Sequence, residues 1–166
     1  MALQSTTALA TVTLQAASST VTFSGIPNTY RDLVLTINAK TSRTAFDQDG
    51  LFIRLNGDTS NHSRVTMLGR SSETLSDSTS SLGVPLAGNA GQPGAILVQI
   101  MDYAQTDKHK TVLARSNQNS PSVSGVVSAT AGRWASTTPI TSIVLLPEVG
   151  PDFAAGSTFS LFGRIA

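Results

Sequence analysis

Apolar and polar residues alternate with a period of two along most of the chain. Residues 31–40 show the pattern best, and shorter copies occupy residues 11–14, 19–24 and 51–56. A period of two puts alternate side chains on opposite faces of a β-strand, so these segments predict half-buried strands of antiparallel sheets. In the strand predicted at residues 31–40, the residues expected to face solvent are Asp32, Thr36, Asn38 and Lys40.

Two later segments are almost continuously apolar, at residues 95–102 and 140–147. Both are short and rich in β-branched residues, which favours strands over buried helices. They predict central strands that are covered on both faces, by a second sheet and by a neighbouring subunit. Residues 110–118, 124–134 and 156–165 complete an expected total of nine to eleven strands.

Segments dense in Gly, Pro, Asn and Asp separate the predicted strands, and Asn56-Gly57 is the strongest hairpin-type turn signal. The polar tract at residues 69–83 reads as a surface loop. The chain is therefore expected to be all-β, with one antiparallel two-sheet β-sandwich domain, jelly-roll-like, over residues 12–166.

The two ends of the chain are expected to make contacts beyond the sandwich. Residues 1–11 are uncharged and rich in Ala, Thr and Ser, and they predict an extended N-terminal arm that orders on a partner. Its expected contact residues are Ala2, Leu3 and Leu9. In the last strand, Phe159, Leu161 and Ile165 are expected to face the core, and Phe162 to face outward under a partner.

Composition narrows the class of function. Ser and Thr make up 43 of the 166 residues, whereas charged residues are only 13% and the formal net charge is +1. Nucleic-acid binding normally needs clustered Lys and Arg, so no nucleic-acid partner is expected. No segment has the apolar length of a membrane span, and the N-terminus lacks the pattern of a signal peptide. Synthesis in the cytoplasm without processing is expected.

No pattern of catalytic or metal-binding residues stands out. His62 and His109 lack metal-ligand spacing and are expected in exposed turns, and abundant serines alone do not indicate a hydrolase. Asp47, Asp49 and Asp58 do not follow the spacing of a calcium loop and favour an acidic turn. The glycine-rich segment at residues 88–94 precedes a strand and not a helix, so it predicts a flexible loop. The protein is expected not to be an enzyme and to bind no cofactor.

The single tryptophan, Trp134, favours an anchor in the core or at an interface. Stacking on a sugar is the alternative. A glycan-binding surface would need an exposed aromatic platform, and Tyr30 and Tyr103 are the other candidates for it.

Four blocks in a fixed order carry a resemblance to known proteins. They are "VTFSGIPNTYRDLVLTINAKTSR" (21–43), "FIRLNGDTSNHS" (52–63), "KTVLARSN" (110–117) and "ITSIVLLPEVGPDFAAGSTFSLFGRIA" (140–166). The series resembles small virion structural proteins of tailed bacteriophages. The chain departs from that pattern at His62 and Phe162, where Tyr is common, and in "PEVGPDF", where the loop is usually plainer.

The resemblance implies a component of the virion, on the capsid surface or in the tail, and it implies no catalytic residues. The leading hypothesis is a capsid decoration (cement) protein, a homo-oligomer and most simply a homotrimer, that bridges subunits of the major capsid protein. The alternative is a tail fibre or tail-tip module that binds host surface glycans.

Overall fold

The computed structural model describes residues 6–43, 48–69, 74–87, 92–118 and 125–165. Within these ranges the chain forms twelve β-strands and no helix. The strands are β1 (Thr6–Thr13), β2 (Val21–Ser24), β3 (Asp32–Ala39), β4 (Gln48–Leu55), β5 (His62–Gly69), β6 (Thr74–Thr79), β7 (Gly83–Ala87), β8 (Gly94–Met101), β9 (Lys110–Gln118), β10 (Val126–Trp134), β11 (Ser142–Pro147) and β12 (Thr158–Arg164).

The strands form two antiparallel sheets. The large sheet has the order β1-β12-β3-β8-β9-β10-β5-β6, and the small sheet has the order β2-β11-β4-β7. The predicted all-β, two-sheet sandwich is confirmed. β6 lies in the polar tract that was expected to be a loop. It pairs only with β5 at the edge of the sheet, so a strong apolar pattern is not needed to hold it.

The order of the strands is nested. Early strands pair with late ones, as β1 with β12, β2 with β11, β3 with β8, and β4 with β7. The pairs β5–β6 and β9–β10 are additions that extend the large sheet beyond β8. Each of the first four strands therefore lies beside a strand from the second half of the chain.

The core lies between the two sheets and is filled by the alternating apolar positions predicted from the sequence. Leu33, Leu35 and Ile37 on β3 are at most 2% exposed, and the rings of Phe153 and Phe159 pack edge to face with centroids 5.0 Å apart. Each fully buried side chain of this size contributes about 1.5–3 kcal/mol by leaving water. The hydrophobic pattern of β3 thus determines which of its faces is inside.

Asp32 was expected to face solvent, and that expectation is wrong, since it is 3% exposed. Arg31 donates to its carboxylate from Nε at 2.9 Å and from Nη2 at 2.7 Å, and the backbone N–H of Asp102 donates at 3.1 Å. Burial by itself would raise the pKa of Asp32, but these donors outweigh it and hold the pKa below its usual value. The ionised carboxylate can be buried because it is paired.

β8 and β11 are central strands, but this chain covers only one face of each. Leu97 on β8 is 40% exposed, and Val144 and Leu146 on β11 are half-buried. The expectation of burial on both faces is not met within the chain. A two-layer sandwich leaves one face of each sheet outside, and apolar residues there remain uncovered unless another molecule covers them.

The expected boundary between an arm and the sandwich, at residue 11, falls inside β1. Residues 6–13 pair with β12 along its whole length, and Leu9 packs against the core. The described part of the predicted arm is therefore an edge strand, because its apolar residues complete the inner face of the sheet. Ala2 and Leu3 lie outside the described residues.

Asn56-Gly57 forms a tight turn, but it does not join paired strands. Asn56 has φ 53° and Gly57 has φ 72°, and the N–H of Asp58 donates to the carbonyl of Leu55 at 3.0 Å. Left-handed backbone at both positions is typical of an Asn-Gly turn. Here the turn links β4 in the small sheet to β5 in the large sheet, and so it closes a corner of the sandwich.

Candidate interaction surface

Residues that could carry chemistry are concentrated at the corner between β4 and β5, here called the β4–β5 corner and defined by Asn56, Asp58, His62 and Trp134. The indole Nε1 of Trp134 donates to Oδ2 of Asp58 at 2.8 Å. Asp58 also accepts hydrogen bonds from the N–H and the hydroxyl of Ser60, and these donors hold its pKa well below the usual value. Trp134 is only 3% exposed, so the chain itself covers the ring.

His62 faces inward from the start of β5 and is 7% exposed, so the expected exposed turn is wrong for this residue. Its ring stacks on Trp134 with centroids 6.4 Å apart and an interplanar angle of 18°. Nε2 is buried and has no hydrogen-bond partner. Burial lowers the pKa of His62, against a smaller opposite effect of Asp58, so the neutral ring is favoured. His109 is exposed, as expected.

The side chain of Asn56 holds the corner to the loop before β11. Its Nδ2 donates to the carbonyl of Pro139 at 2.9 Å, and its Oδ1 accepts from the N–H groups of Thr141 and Ser142 at 2.9 and 3.1 Å. Every polar atom of this side chain is used inside the protein. Asn56 is therefore a structural joint between the corner and the loop before β11.

Two further buried residues use their polar ends in the same way. The hydroxyl of Tyr103 donates to the carbonyl of Pro27. The ammonium of Lys110 donates to the carbonyls of Gln105, Lys108 and Thr137, and burial lowers the pKa of Lys110. Both residues are fully buried and fasten loops to the end of the sandwich.

The three aromatic candidates for a sugar platform do not form one. Trp134 and Tyr103 are inside the chain. Tyr30 is half-buried, and its ring lies flat against Gly163, where an added Cβ would be 2.4 Å from a ring carbon. Tyr30 therefore requires glycine at position 163.

The acidic residues considered for calcium do not come together. Asp49 is 5% exposed, and its carboxylate accepts the N–H groups of Gly50, Val149 and Gly150 at 2.8–3.1 Å. Asp58 belongs to the β4–β5 corner, and Asp47 lies outside the described residues. Among the described residues no group of three or more His, Cys, Asp or Glu could hold a metal ion.

The exposed apolar residues, by contrast, lie together on one surface. The outer face is defined here as the side chains of the large sheet that point away from the small sheet. It carries five of the six large hydrophobic side chains that are exposed in the described part of the chain. They are Val65 (53% exposed), Met67 (67%), Leu97 (40%), Leu113 (42%) and Val127 (62%).

The register of the strands aligns two of these residues, Val65 and Leu113, in one row with side chains that are smaller or half-buried. Val65 is opposite Ala131, which is opposite Leu113, and the row continues through Gln99. It then passes through Val34 and Phe162 to Ala8 on β1. Seven strands contribute to this row, and Gln99 is its single polar member. Phe162, which was expected to need a cover, is half-buried within it.

Small residues on β10 make the outer face uneven. Ala129 lies between Met67 and Arg115, and Ala131 lies between Val65 and Leu113. The large neighbours rise on either side of these alanines and form shallow open depressions along β10. Ridges beside depressions, built from apolar side chains with arginines among them, are typical of surfaces that bind another protein.

Sequence reasoning placed Phe162 on this surface but missed the rest of it. Val65, Met67 and Val127 come from segments with weak alternation, and only strand pairing brings them beside Leu97 and Leu113. The near-continuous apolar run of β8 was the one available signal, since it indicated that both faces of the strand needed cover.

No protein-family model matches the chain, and no curated protein matches it. A weak structural match is the crystal structure of a protein of unknown function from Shewanella oneidensis MR-1, with a TM-score of 0.27 and 10% sequence identity, covering 96% of this chain and 75% of that chain. That similarity carries no argument about fold or function. In the described part of the chain there is no helix long and apolar enough to cross a membrane.

Proposed function

We propose that the protein is a bacteriophage virion structural protein, a capsid decoration (cement) protein that binds the assembled shell and stabilises it against internal pressure. The observation that carries the proposal is the outer face, where a largely apolar row of side chains crosses seven strands and is left uncovered by the described residues. Monomeric soluble proteins rarely expose a continuous apolar surface of this kind unless it binds something.

The strand order supports the proposal. We infer a jelly-roll topology from the nested pairs β1–β12, β2–β11, β3–β8 and β4–β7. Jelly rolls occur in viral capsid proteins and in lectins. The lectin alternative, a tail module that binds glycans, gains nothing from Trp134 or Tyr103, because both rings are buried.

A decoration protein acts in many copies on one particle, so weak contacts add up. Each copy contributes a small interface, and a homo-oligomer, in the simplest case a trimer where capsomers meet, multiplies the affinity without new contacts. The major capsid protein and sister copies are the proposed partners, and the capsid surface is the proposed location. The scarcity of charged residues suits such repeated, largely apolar contacts.

Shell binding tests the proposal. Purified protein is mixed with decoration-free shells of the phage that encodes it, and the temperature of shell rupture is measured with and without the protein. We expect wild-type protein to bind at regular sites and to raise the rupture temperature. Absence of both effects would contradict the proposal.

Two variants locate the contact. Met67→Glu places a charge on the outer face and is expected to abolish binding, whereas Thr22→Glu on the exposed side of the small sheet is the matched control. Deletion of residues 2–5 tests the predicted arm without removing β1, because β1 begins at Thr6.

The number of copies per virion, measured on a stained gel, separates a decoration protein from a tail component. A decoration protein approaches the abundance of the capsid protein.

A further inference from the structure

The outer face is positively charged. Arg115 on β9, Arg133 on β10 and Arg164 on β12 are exposed there, and none of the three makes an ion pair with a described residue. Asp32 is the cross-strand neighbour of Arg164 and attracts it, but this carboxylate is buried and already paired with Arg31 at 2.7 Å. A chain with a net charge of +1 therefore places three arginines on its apolar surface, and Asp32 offsets part of the charge of Arg164.

The strand register gives the spacing of these charges. Arg133 is opposite Thr111 and so lies four residues along from Arg115, which places their Cα atoms about 14 Å apart at the usual rise and strand separation. Arg164 lies at the same level as Arg133 but four strands away, a distance of about 19 Å. The apolar row therefore passes between Arg115 on one side and Arg133 and Arg164 on the other.

We propose that the outer face binds a different protein whose docking surface is apolar and acidic, with carboxylates opposite Arg115, Arg133 and Arg164. The identity of that protein as a shell subunit rests on the proposed function. The argument is charge complementarity. Positive and negative patches meet across specific interfaces, and like charges brought together disfavour an interface strongly.

A second copy of the chain does not satisfy this requirement. Two outer faces packed together would enclose six arginines, and Asp32 beside Arg164 is buried and already paired with Arg31, so it does not balance them. A nucleic acid fits no better, because three arginines 14–19 Å apart are sparse against a duplex with one charge per about 1.7 Å of its axis, and phosphates leave the apolar row unmatched. Contacts between sister copies then use other surfaces, such as the half-buried Phe52, Val144 and Leu146 of the small sheet.

Charge reversal at the centre of the outer face tests the proposal. Affinity for decoration-free shells is measured at low and high salt for wild type, Arg115→Glu and Lys108→Glu. Lys108 is the matched control, since it makes only an exposed pair with Asp102 in a loop. We expect Arg115→Glu to weaken binding at least about tenfold and to reduce its dependence on salt, and Lys108→Glu to leave both unchanged. Equal binding by wild type and Arg115→Glu would overturn the proposal while leaving shell binding intact.

A cross-linking experiment separates this inference from the proposed function. Leu113 is replaced by benzoylphenylalanine in phage-infected cells, with the same replacement at Thr22 as control, and cross-linked peptides are identified by mass spectrometry. A cross-link from position 113 to an Asp- or Glu-bearing surface of another protein, lost in Arg115→Glu, supports the inference even where that protein is not the shell. A cross-link to a second copy or to nucleic acid, or no cross-link, overturns it.

Discussion

The β4–β5 corner and the outer face of the large sheet differ in whether their side chains have partners within the chain. At the corner, polar side chains find partners inside the chain, as Asn56 and Asp58 do. On the outer face, apolar side chains and arginines are exposed, and none of these arginines makes an ion pair with a described residue. The first arrangement stabilises the fold, and the second is available to another molecule.

The comparison shows why sequence motifs mislead about function here. The most conspicuous residues of the chain, Asn56-Gly57, Asp58, His62 and Trp134, make their contacts inside the chain. Residues of the outer face, such as Met67 and Val127, have no motif at all. Conspicuous polar residues can therefore be structural, while the interaction surface consists of ordinary ones.

The largest effect is expected from deleting residues 161–166, because β12 contributes to both the core and the outer face. Leu161 points into the core, Phe162 points out, and the strand is the partner of both β1 and β3. We expect the truncated chain not to fold, as measured by the loss of a cooperative thermal transition. A soluble truncated protein that melts cooperatively would show that β12 is peripheral.

Truncation at the corner is expected to have the next largest effect. Trp134→Ala removes a buried ring and should lower the free energy of unfolding by about 3–5 kcal/mol in chemical denaturation. Trp134→Phe keeps most of the packing but removes the donor to Asp58, so its loss should be smaller and still measurable. Shell binding at low temperature should be retained in both variants. A loss of shell binding by a folded variant would show that the corner contributes to binding as well as to stability.

A smaller, pH-dependent effect is expected from His62. Burial lowers its pKa in the folded state, so the unfolded chain takes up the proton first, at a pKa of about 6.5. Stability is therefore full above that value and falls as the pH drops below it. We expect His62→Phe to flatten the decline in the free energy of unfolding between pH 7 and 5, while the control His109→Gln keeps it.

Asp58, which acts on His62, does not account for this decline, because its hydrogen-bond donors hold its pKa well below that range. An unchanged pH profile in His62→Phe would assign the decline to other groups.

The smallest effect on stability is expected on the outer face. Met67→Ala should change the free energy of unfolding by no more than about 0.5 kcal/mol, because the side chain is 67% exposed already. Leu35→Ala on the inner face is the matched comparison and should cost about 2–5 kcal/mol. A large loss of stability in Met67→Ala would mean that the outer face contributes to the fold of the single chain.

Much of the fold could be predicted from the sequence because alternation specifies which residues are inside. β2, β3 and β4 lie where the pattern placed them, with Phe23, Leu35 and Ile53 buried. Edge strands were harder to predict. β6 has a single partner and needs little apolar pattern. The start of β1 was predicted as an arm because the segment contains few turn residues or charges.

The candidate surface was less predictable, because it depends on contacts between distant segments. Nothing local in the sequence indicates that Val65 and Leu113 share a row through Ala131. The burial of His62 and Asp32 was missed for a related reason. His62 stacks on Trp134, and Asp32 accepts a hydrogen bond from the N–H of Asp102, and both of these partners lie far away in the chain.

The nested strand order also determines how long the early strands remain unpaired during synthesis. β12 lies between β1 and β3, and β11 lies between β2 and β4, so the earliest strands wait for the latest ones. A ribosome adds about 5–20 residues per second, so these strands have open edges for several seconds after they are made. Neither sheet can close until residues 142–164 have left the ribosome. Nascent chains on the same messenger RNA must therefore avoid pairing with each other until β11 and β12 have been made.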